Sequence, residues 1–434
     1  MQGIFKLYVK SELYIRFEQI IGLIFYISFL PTFCRFLSPA GMKQLLVLTL
    51  ALPLSVLAQK KSASAVEVLQ KTLNKLESLK TVSYSQTRET RYFADNYQHT
   101  LKADMFIDFA ASNALNLRFQ AESDKTIFVY DGQYRLLIDK ENQTIDSASA
   151  ATFASMRNNS YLYHSLAMLR RMIPGTIAND SIRKSVSDTL IGKTTYYNVR
   201  MEGDGMYFAL LGGMEYYKNA QLRRPYYLLI DKKTYLPYQF ISKYIRGTDD
   251  RDYVTMTYSN MDTRANTPAP RGWSYAAYAD TYKPYVAPAV IPLIKPGTQA
   301  PGFTLPAYLP AGIDSLSLQQ YAGKVVLLEF WFKSCGPCME AMPHYNELQQ
   351  SFNKSDFALI TINVEDPVED IKFFYNKYQP VYPMLYNGRS FWQSVGFTGA
   401  PASLLIDRAG KVREVIRGFV KDDIEKKVKG LVGE

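Results

Sequence analysis

The stretch that most constrains this chain is FWFKSCGPCMEAMP, Phe330–Pro343, where an apolar run meets two cysteines and then a helical pattern. The run before it, KVVLLEFWF (324–332), is nearly continuous in apolar residues, as in a strand covered on both faces. The residues after it, CMEAMPHYNELQQSF, read as a helix. Such a junction puts Cys335 at a helix N-terminus, where unpaired N–H groups and the helix dipole favour a thiolate. Thiolate is the form that attacks disulfides. Cys338 lies one turn on and can close the ring. Gly336 permits a tight turn, and Pro337 fits an early helical position where its missing N–H costs little.

Two other readings of the pair stay in view. A metal site needs more ligands, but the chain has no second cysteine pair, and His99, His164 and His344 are scattered without ligand spacing. A purely structural disulfide closing so small a loop would stabilise little by chain entropy. Redox chemistry is the expectation.

The surroundings add candidates. Glu329 is the one acid inside the apolar strand, six residues before Cys335. A carboxyl there is desolvated, which raises its pKa, and such a group can shuttle the proton of Cys338 as the second thiol attacks. The competing reading leaves Glu329 facing solvent at the strand end. Lys333 can favour the thiolate, or simply lie exposed. Pro343 sits mid-helix and should kink it. In GFTGAPASLLID, Ala400-Pro401 precedes a strand, which makes Pro401 a candidate cis-proline; a plain trans turn is the alternative.

Around this motif the chain divides by pattern. Residues 62–80 carry apolar residues at helical spacing. In 126–145, Asp131-Gly132 between β-rich runs signals a hairpin. TTYYNVRME, RPYYLLIDKKTYLPYQFISKYI and DYVTMTYSNM read as strands, and YLYHSLAMLRRMI (161–173) as a helix. Most of the 33 tyrosines precede position 290, and Tyr suits half-buried strands. Residues 59–265 are therefore expected to form a mostly antiparallel β domain with a few helices. Nine prolines between 268 and 310 predict an extended, semi-rigid connector, with the linker proper over 266–295. From 296 to 434 strands alternate with helices and end in a hairpin, the pattern of an α/β domain with a mixed central sheet.

The N-terminus carries two apolar runs, Ile20–Phe33 and one within Met42–Lys61. Each apolar core is about 14 residues, short for a spanning helix. The second reads as a secretory signal over 42–58, with Lys43 as its charged start and Val56 and Ala58 at the small-residue cleavage positions. Residues 1–41 are then an over-long start or a second membrane segment. Cleavage after Ala58 removes Cys34 and leaves 45 basic and 38 acidic residues. The exported chain would keep two cysteines, both in the opening motif, whereas a disulfide-stapled scaffold needs more. A formal charge of +10 and a pI near 9.1 admit nucleic-acid binding. The charges are scattered, however, with no zinc-finger spacing, RNA-binding aromatic signature or long Lys/Arg run, so no nucleic-acid partner is expected.

Residues 296–434 resemble the TlpA/ResA-type thioredoxin-like thiol-disulfide oxidoreductases in the motifs APGFTL, GKVVLLEFW, CGPC, MP, GAPASLLIDRAGKV and the final GF. The resemblance implies a thioredoxin-like fold, Cys335 as attacking thiol, Cys338 as resolving thiol, and Glu329 in the place of thioredoxin's buried acid. It also implies Pro401 as a cis-proline opposite the cysteines, where neighbouring backbone pairs with substrate. Two departures lie on the expected substrate surface: Ser334 stands where Trp is usual, and Ala400 where Thr or Val is common. Residues 60–265 are similar to periplasmic LolA/RseB-type half-barrels in their opening helix, strand meander and YYLLIDKKTYLPYQF.

These readings predict an exported, periplasmic enzyme that reduces disulfides of envelope proteins, with membrane anchoring open through the N-terminal segments. Its cofactor would be none beyond the Cys335–Cys338 disulfide. Its partners would be thiol- or disulfide-containing envelope proteins and a membrane electron donor. The alternative is a periplasmic lipid- or lipoprotein-binding protein with an accessory thioredoxin-like domain. A peroxidase is disfavoured by the paired cysteines and by Trp331, four residues before Cys335, where that chemistry wants a Thr.

Overall fold

The computed structural model describes residues 63–434 apart from 151, 153, 157–158, 217–221 and 310–311. The segments at 1–41 and 42–58, with Cys34, lie outside the described residues. Ser64–Glu434 forms one compact unit built on two large sheets.

The first helix, α1 (Ala65–Glu77), starts at a reciprocal cap. Ser64 Oγ accepts the Glu67 N–H at 3.1 Å, and the Glu67 carboxylate accepts the Ser64 N–H at 2.8 Å. Its apolar stripe, Val68, Leu69, Leu73 and Leu76, is buried. Six strands follow: β1 (Thr81–Tyr92), β2 (Tyr97–Asp108), β3 (Arg118–Glu122), β4 (Thr126–Tyr130), β5 (Tyr134–Asp139) and β6 (Thr144–Ser149). The β4–β5 turn uses Gly132 at φ +108°, a conformation that favours glycine.

After α2 (Leu166–Ala178) come β7 (Arg183–Ile191), β8 (Thr194–Glu202), the small hairpin β9 (Met206–Phe208) and β10 (Met214–Tyr216), and β11 (Leu222–Arg223). Then follow β12 (Tyr226–Asp231), β13 (Pro237–Arg246), β14 (Asp249–Asp262) and the short β15 (Lys283–Pro284). The sheet order is β15-β6-β5-β4-β3-β2-β1-β14-β13-β12-β8-β7, with β11 pairing β13. All its pairings are antiparallel except β15 with β6. The chain therefore closes long-range contact between β1 and β14 across nearly the whole segment.

The helix expected over 161–173 begins five residues later. Asn159 and Ser165 make local turns, and the Ser165 hydroxyl caps the Met168 N–H at 3.2 Å. These side-chain bonds outcompete helix over 161–165. The segment packs on the sheet: the Tyr84 hydroxyl accepts the Leu166 N–H at 3.3 Å, the Tyr258 hydroxyl donates to the His164 carbonyl, and the His164 ring lies 5.0 Å from that of Phe240.

The proline-rich stretch is held at both ends. Arg271 is paired with Glu122, Tyr278 is buried, and β15 adds to the edge of β6. At the other end the Ile294 N–H donates to the Val395 carbonyl at 3.0 Å. Between these anchors, Val286 and Val290 are 83% and 86% exposed.

The second sheet comprises β16 (Thr304–Leu309), β17 (Gly312–Ser317), β18 (Val325–Trp331), β19 (Phe357–Asn363), β20 (Met384–Leu385), β21 (Ala402–Ile406) and β22 (Val412–Arg417). It is interleaved with α3 (Gly336–Gln350), α4 (Val368–Tyr378), α5 (Arg389–Ser394) and the closing α6 (Lys421–Val432). The order is β17-β16-β20-β19-β18-β21-β22, with β18 parallel to β19 and antiparallel to β21. The sheet is mixed and thioredoxin-like. Every residue of β18 is buried because both its faces are covered. Val325, Leu327 and Trp331 enter the layer with α3, α4 and α6, while Val326, Leu328 and Phe330 enter the layer with Phe391, Val395 and Phe397.

Candidate active site

Strand β18 ends at Trp331, and four residues later the chain turns into α3 with Cys335 as its N-cap. Cys335 and Cys338 are joined by a disulfide, with Cα atoms 5.2 Å apart. The Cys335 Sγ also accepts the backbone N–H of Cys338 at 3.2 Å. A first-turn amide therefore points at this sulfur, the arrangement that stabilises a thiolate once the disulfide opens. Cys335 is 5% and Cys338 2% exposed, while Gly336 and Pro337 between them are exposed.

Glu329 is 1% exposed, so the solvent-facing alternative does not hold. Strand alternation puts it on the side of Leu327 and Trp331, facing the layer that contains Cys335, Cys338 and Tyr345. The Ser403 hydroxyl donates to its Oε2 from the paired position on β21. Oε1 has no hydrogen-bond partner, and the Tyr345 hydroxyl stands within electrostatic reach but outside hydrogen-bond geometry. Desolvation dominates and raises the Glu329 pKa to about 8, partly opposed by Ser403 and Tyr345. Glu329 is thus mainly protonated at pH 7 and able to give or take a proton near that pH.

The Ala400–Pro401 peptide bond is cis. The Pro401 carbonyl accepts the Gly418 N–H at 2.8 Å, and Ala400 packs against the layer that holds both cysteines. Lys333 is neither free nor fully exposed. Its ammonium pairs with Asp370, and its backbone N–H donates to the Asp366 carboxylate at 2.6 Å. Its charge is largely committed to α4. Pro343 lies inside α3 as expected. Among the described residues no cluster of three or more His, Cys, Asp or Glu is placed to hold a metal ion.

Sequence reasoning missed Ser403, Tyr345 and Asp370. Ser403 follows Pro401 by two residues, and only the β18–β21 register brings it to Glu329. Tyr345 is ten residues past Cys335, on the buried face of α3.

Residues 296–415 match the AhpC/TSA family. The thiol-disulfide oxidoreductase ResA of Geobacillus thermodenitrificans (strain NG80-2) is 29% identical over 161 residues, covering 36% of this chain and 86% of that protein. ResA of Geobacillus kaustophilus (strain HTA426) is 30% identical over 159 residues, with the same coverage of each. The chain belongs to the ResA family of thiol-disulfide oxidoreductases. The family region of this oxidoreductase holds Cys335, Cys338, Glu329 and Pro401, and leaves the first sheet outside it. A crystal structure of a thiol:disulfide interchange protein of the thioredoxin family from Chlorobium tepidum TLS is 26% identical, covers 32% of this chain and 99% of its own, and has a TM-score of 0.29.

Proposed function

We propose that this oxidoreductase reduces disulfides of envelope proteins, using Cys335 to attack and Cys338 to resolve. The observation that carries the reading is the Cys338 amide aimed at the Cys335 sulfur, with protonatable Glu329 in the same buried layer. In the reduced state the Cys335 thiolate attacks one sulfur of a substrate disulfide. A mixed disulfide forms and the other substrate sulfur leaves as a thiolate. Glu329, as carboxylate, takes the Cys338 proton, and the Cys338 thiolate attacks the Cys335 sulfur. The second substrate thiolate leaves, and the Cys335–Cys338 disulfide re-forms. Two electrons have passed to the substrate. A dithiol partner returns them by the reverse exchange.

The pairing of a protonated buried acid with Cys-Gly-Pro-Cys supports the reducing direction. The secretory pattern at 42–58 supports work outside the cytoplasm. The packing of Ala400 against the layer that holds both cysteines supports a substrate-pairing role for that turn. The lipid-carrier reading of the first sheet has less support. Its Tyr84, Phe240 and Tyr258 side chains are already covered by the His164–Leu166 segment.

The test is the reduction potential of the Cys335–Cys338 pair, by equilibration with dithiol buffers and thiol trapping. A value near about −270 mV supports the reductase; one near about −120 mV makes the protein a disulfide donor instead. No measurable exchange would overturn the reading.

A further inference from the structure

A cavity of about 390 Å³ lies between the first sheet and the Cys335 loop. Its floor is Lys333, Ser334 and Gly336, which flank the attacking cysteine. Its wall is the end of the first sheet, with Arg88 and Tyr92 from β1, Tyr97 from β2 and Tyr244 from β13. The volume falls within the roughly 300–1,000 Å³ of ligand sites. The short Ser334 side chain leaves the floor open.

The wall is fixed in place. Asn96, at the β1–β2 turn, donates to Asp370 Oδ1 at 2.9 Å, and the other oxygen of Asp370 holds the Lys333 ammonium. Lys377 of α4 reaches back to the Ala94 carbonyl, and to Asp95 at 3.2 Å. The Asp252 carboxylate accepts the Phe93 N–H at 2.7 Å. One carboxylate thus ties both the turn and a residue two positions before Cys335.

The charges around the cavity are not evenly matched. Arg246 faces Asp95 and Asp252, both at 3.5 Å, and Lys333 is offset by Asp370. Arg88 has no carboxylate partner among the described residues. Its guanidinium lies 5.7 Å from the Tyr163 ring centroid, and its Nε is buried without a hydrogen-bond acceptor. The guanidinium lines the cavity with no carboxylate against it, and at a half-buried site an incoming carboxylate is worth more to it than in water. The tyrosines offer flat surfaces and hydroxyls against which a peptide can lie.

We propose that this cavity is the specificity subsite of the redox centre. It receives the segment beside a substrate's cysteine and selects one that carries a carboxylate, which Arg88 binds. The inference rests on the proposed dithiol exchange at Cys335. The occupant is a peptide segment rather than a free small anion, because the floor residues adjoin the sulfur that must form the mixed disulfide. A segment seated there is continuous with the substrate cysteine. The first sheet is then a working part of the substrate surface.

The test uses the reduced full chain and three disulfides. One is bis(2-hydroxyethyl) disulfide, which is neutral and small. The other two are cystine-linked peptide dimers, identical except for Glu or Lys beside the cysteine. Rates are normalised to reduction of the same compounds by dithiothreitol, which removes their intrinsic reactivity. Failure to reduce the neutral disulfide would sink the exchange reading itself. With exchange present, the Glu peptide is expected to have about a tenfold higher kcat/KM than the Lys peptide, carried by KM. Arg88→Gln should bring the ratio to about one, and Arg88→Glu should reverse it. Equal normalised rates for the two peptides on the native chain would overturn the subsite. If either variant fails to fold, ionic strength decides on the native chain. The preference should weaken towards 1 M salt, where the Debye length is about 3 Å, but less than for an exposed pair because Arg88 is half-buried. A preference indifferent to salt would equally overturn it.

Discussion

At the scale of single residues, Glu329 makes the most distinctive prediction. Its ordinary pKa of 4.5 rises to about 8 in the folded protein, chiefly through desolvation. Between these values the folded chain holds a proton that the unfolded chain has lost. Stability is therefore full below about pH 4.5 and falls as pH rises towards 8, by up to roughly 1.4 kcal/mol per pH unit from this group. Glu329→Gln should remove that part of the slope. Urea unfolding of both proteins from pH 5 to 9 measures it, and parallel curves would refute it. The same variant should slow closure of the Cys335–Cys338 ring on the order of 10²-fold, read by rapid quenching of the mixed disulfide. Cys338→Ser should accumulate that mixed disulfide, visible as a mass adduct on Cys335, while Cys335→Ser should form none with substrate.

The residues proposed to carry this chemistry were unequally legible. Cys335, Cys338 and Glu329 stand out because strand, turn and helix are local patterns, and the strand's apolar run leaves one acid conspicuous. Pro401 stands out through its place before a strand. Ser403, Tyr345 and Asp370 are ordinary residues whose meaning comes from register and packing, which no short window contains. Arg88 is one of many arginines until the cavity shows that it lacks an acid.

At the scale of elements, the tie between the β1–β2 turn and α4 decides how the first sheet meets the redox loop. Asp370 is a buried acceptor for both Asn96 and Lys333. Asp370→Ala leaves Lys333 without its partner and should cost about 1.5–3 kcal/mol. Urea unfolding measures the loss, and amide exchange should speed up at Phe93–Asn96 more than at β4 or β5. Uniform exchange would show that the turn is held elsewhere. The elements themselves were mostly visible in the sequence. The alternation of strands and helices over 296–434 is present, and the Asp131-Gly132 hairpin joins β4 to β5. Two features resisted. Residues 161–165 look helical by apolar spacing, but Asn159 and Ser165 bend the backbone first. The hairpin β16–β17 is interrupted by prolines and half-exposed, so it lacks strand alternation.

At the scale of the whole molecule, the proline-rich stretch is the accessible seam. Tyr285 is 50% and Val290 86% exposed, while Tyr278 and Ile294 are held on either side. Limited digestion with elastase should cut first within 286–290, and amino-terminal sequencing of the products locates the site. First cleavage inside either sheet would count against this packing. Prolines announce such a connector, but not the side chains that fasten its ends. Those depend on Glu122 and Val395, 149 residues before Arg271 and about a hundred after Ile294.

Strand β1 serves two masters on one face. Val82, Tyr84 and Gln86 are buried with the helical layer, and two residues further along the same pleat come Arg88, Thr90 and Tyr92 at the cavity. Side chains alternate along a strand, so a slip of one residue would turn all six away together. The apolar core thereby acts as a ruler. It sets the position of the proposed recognition wall, and any mutation that blurs the core's register is expected to blunt substrate choice before it stops the thiol chemistry.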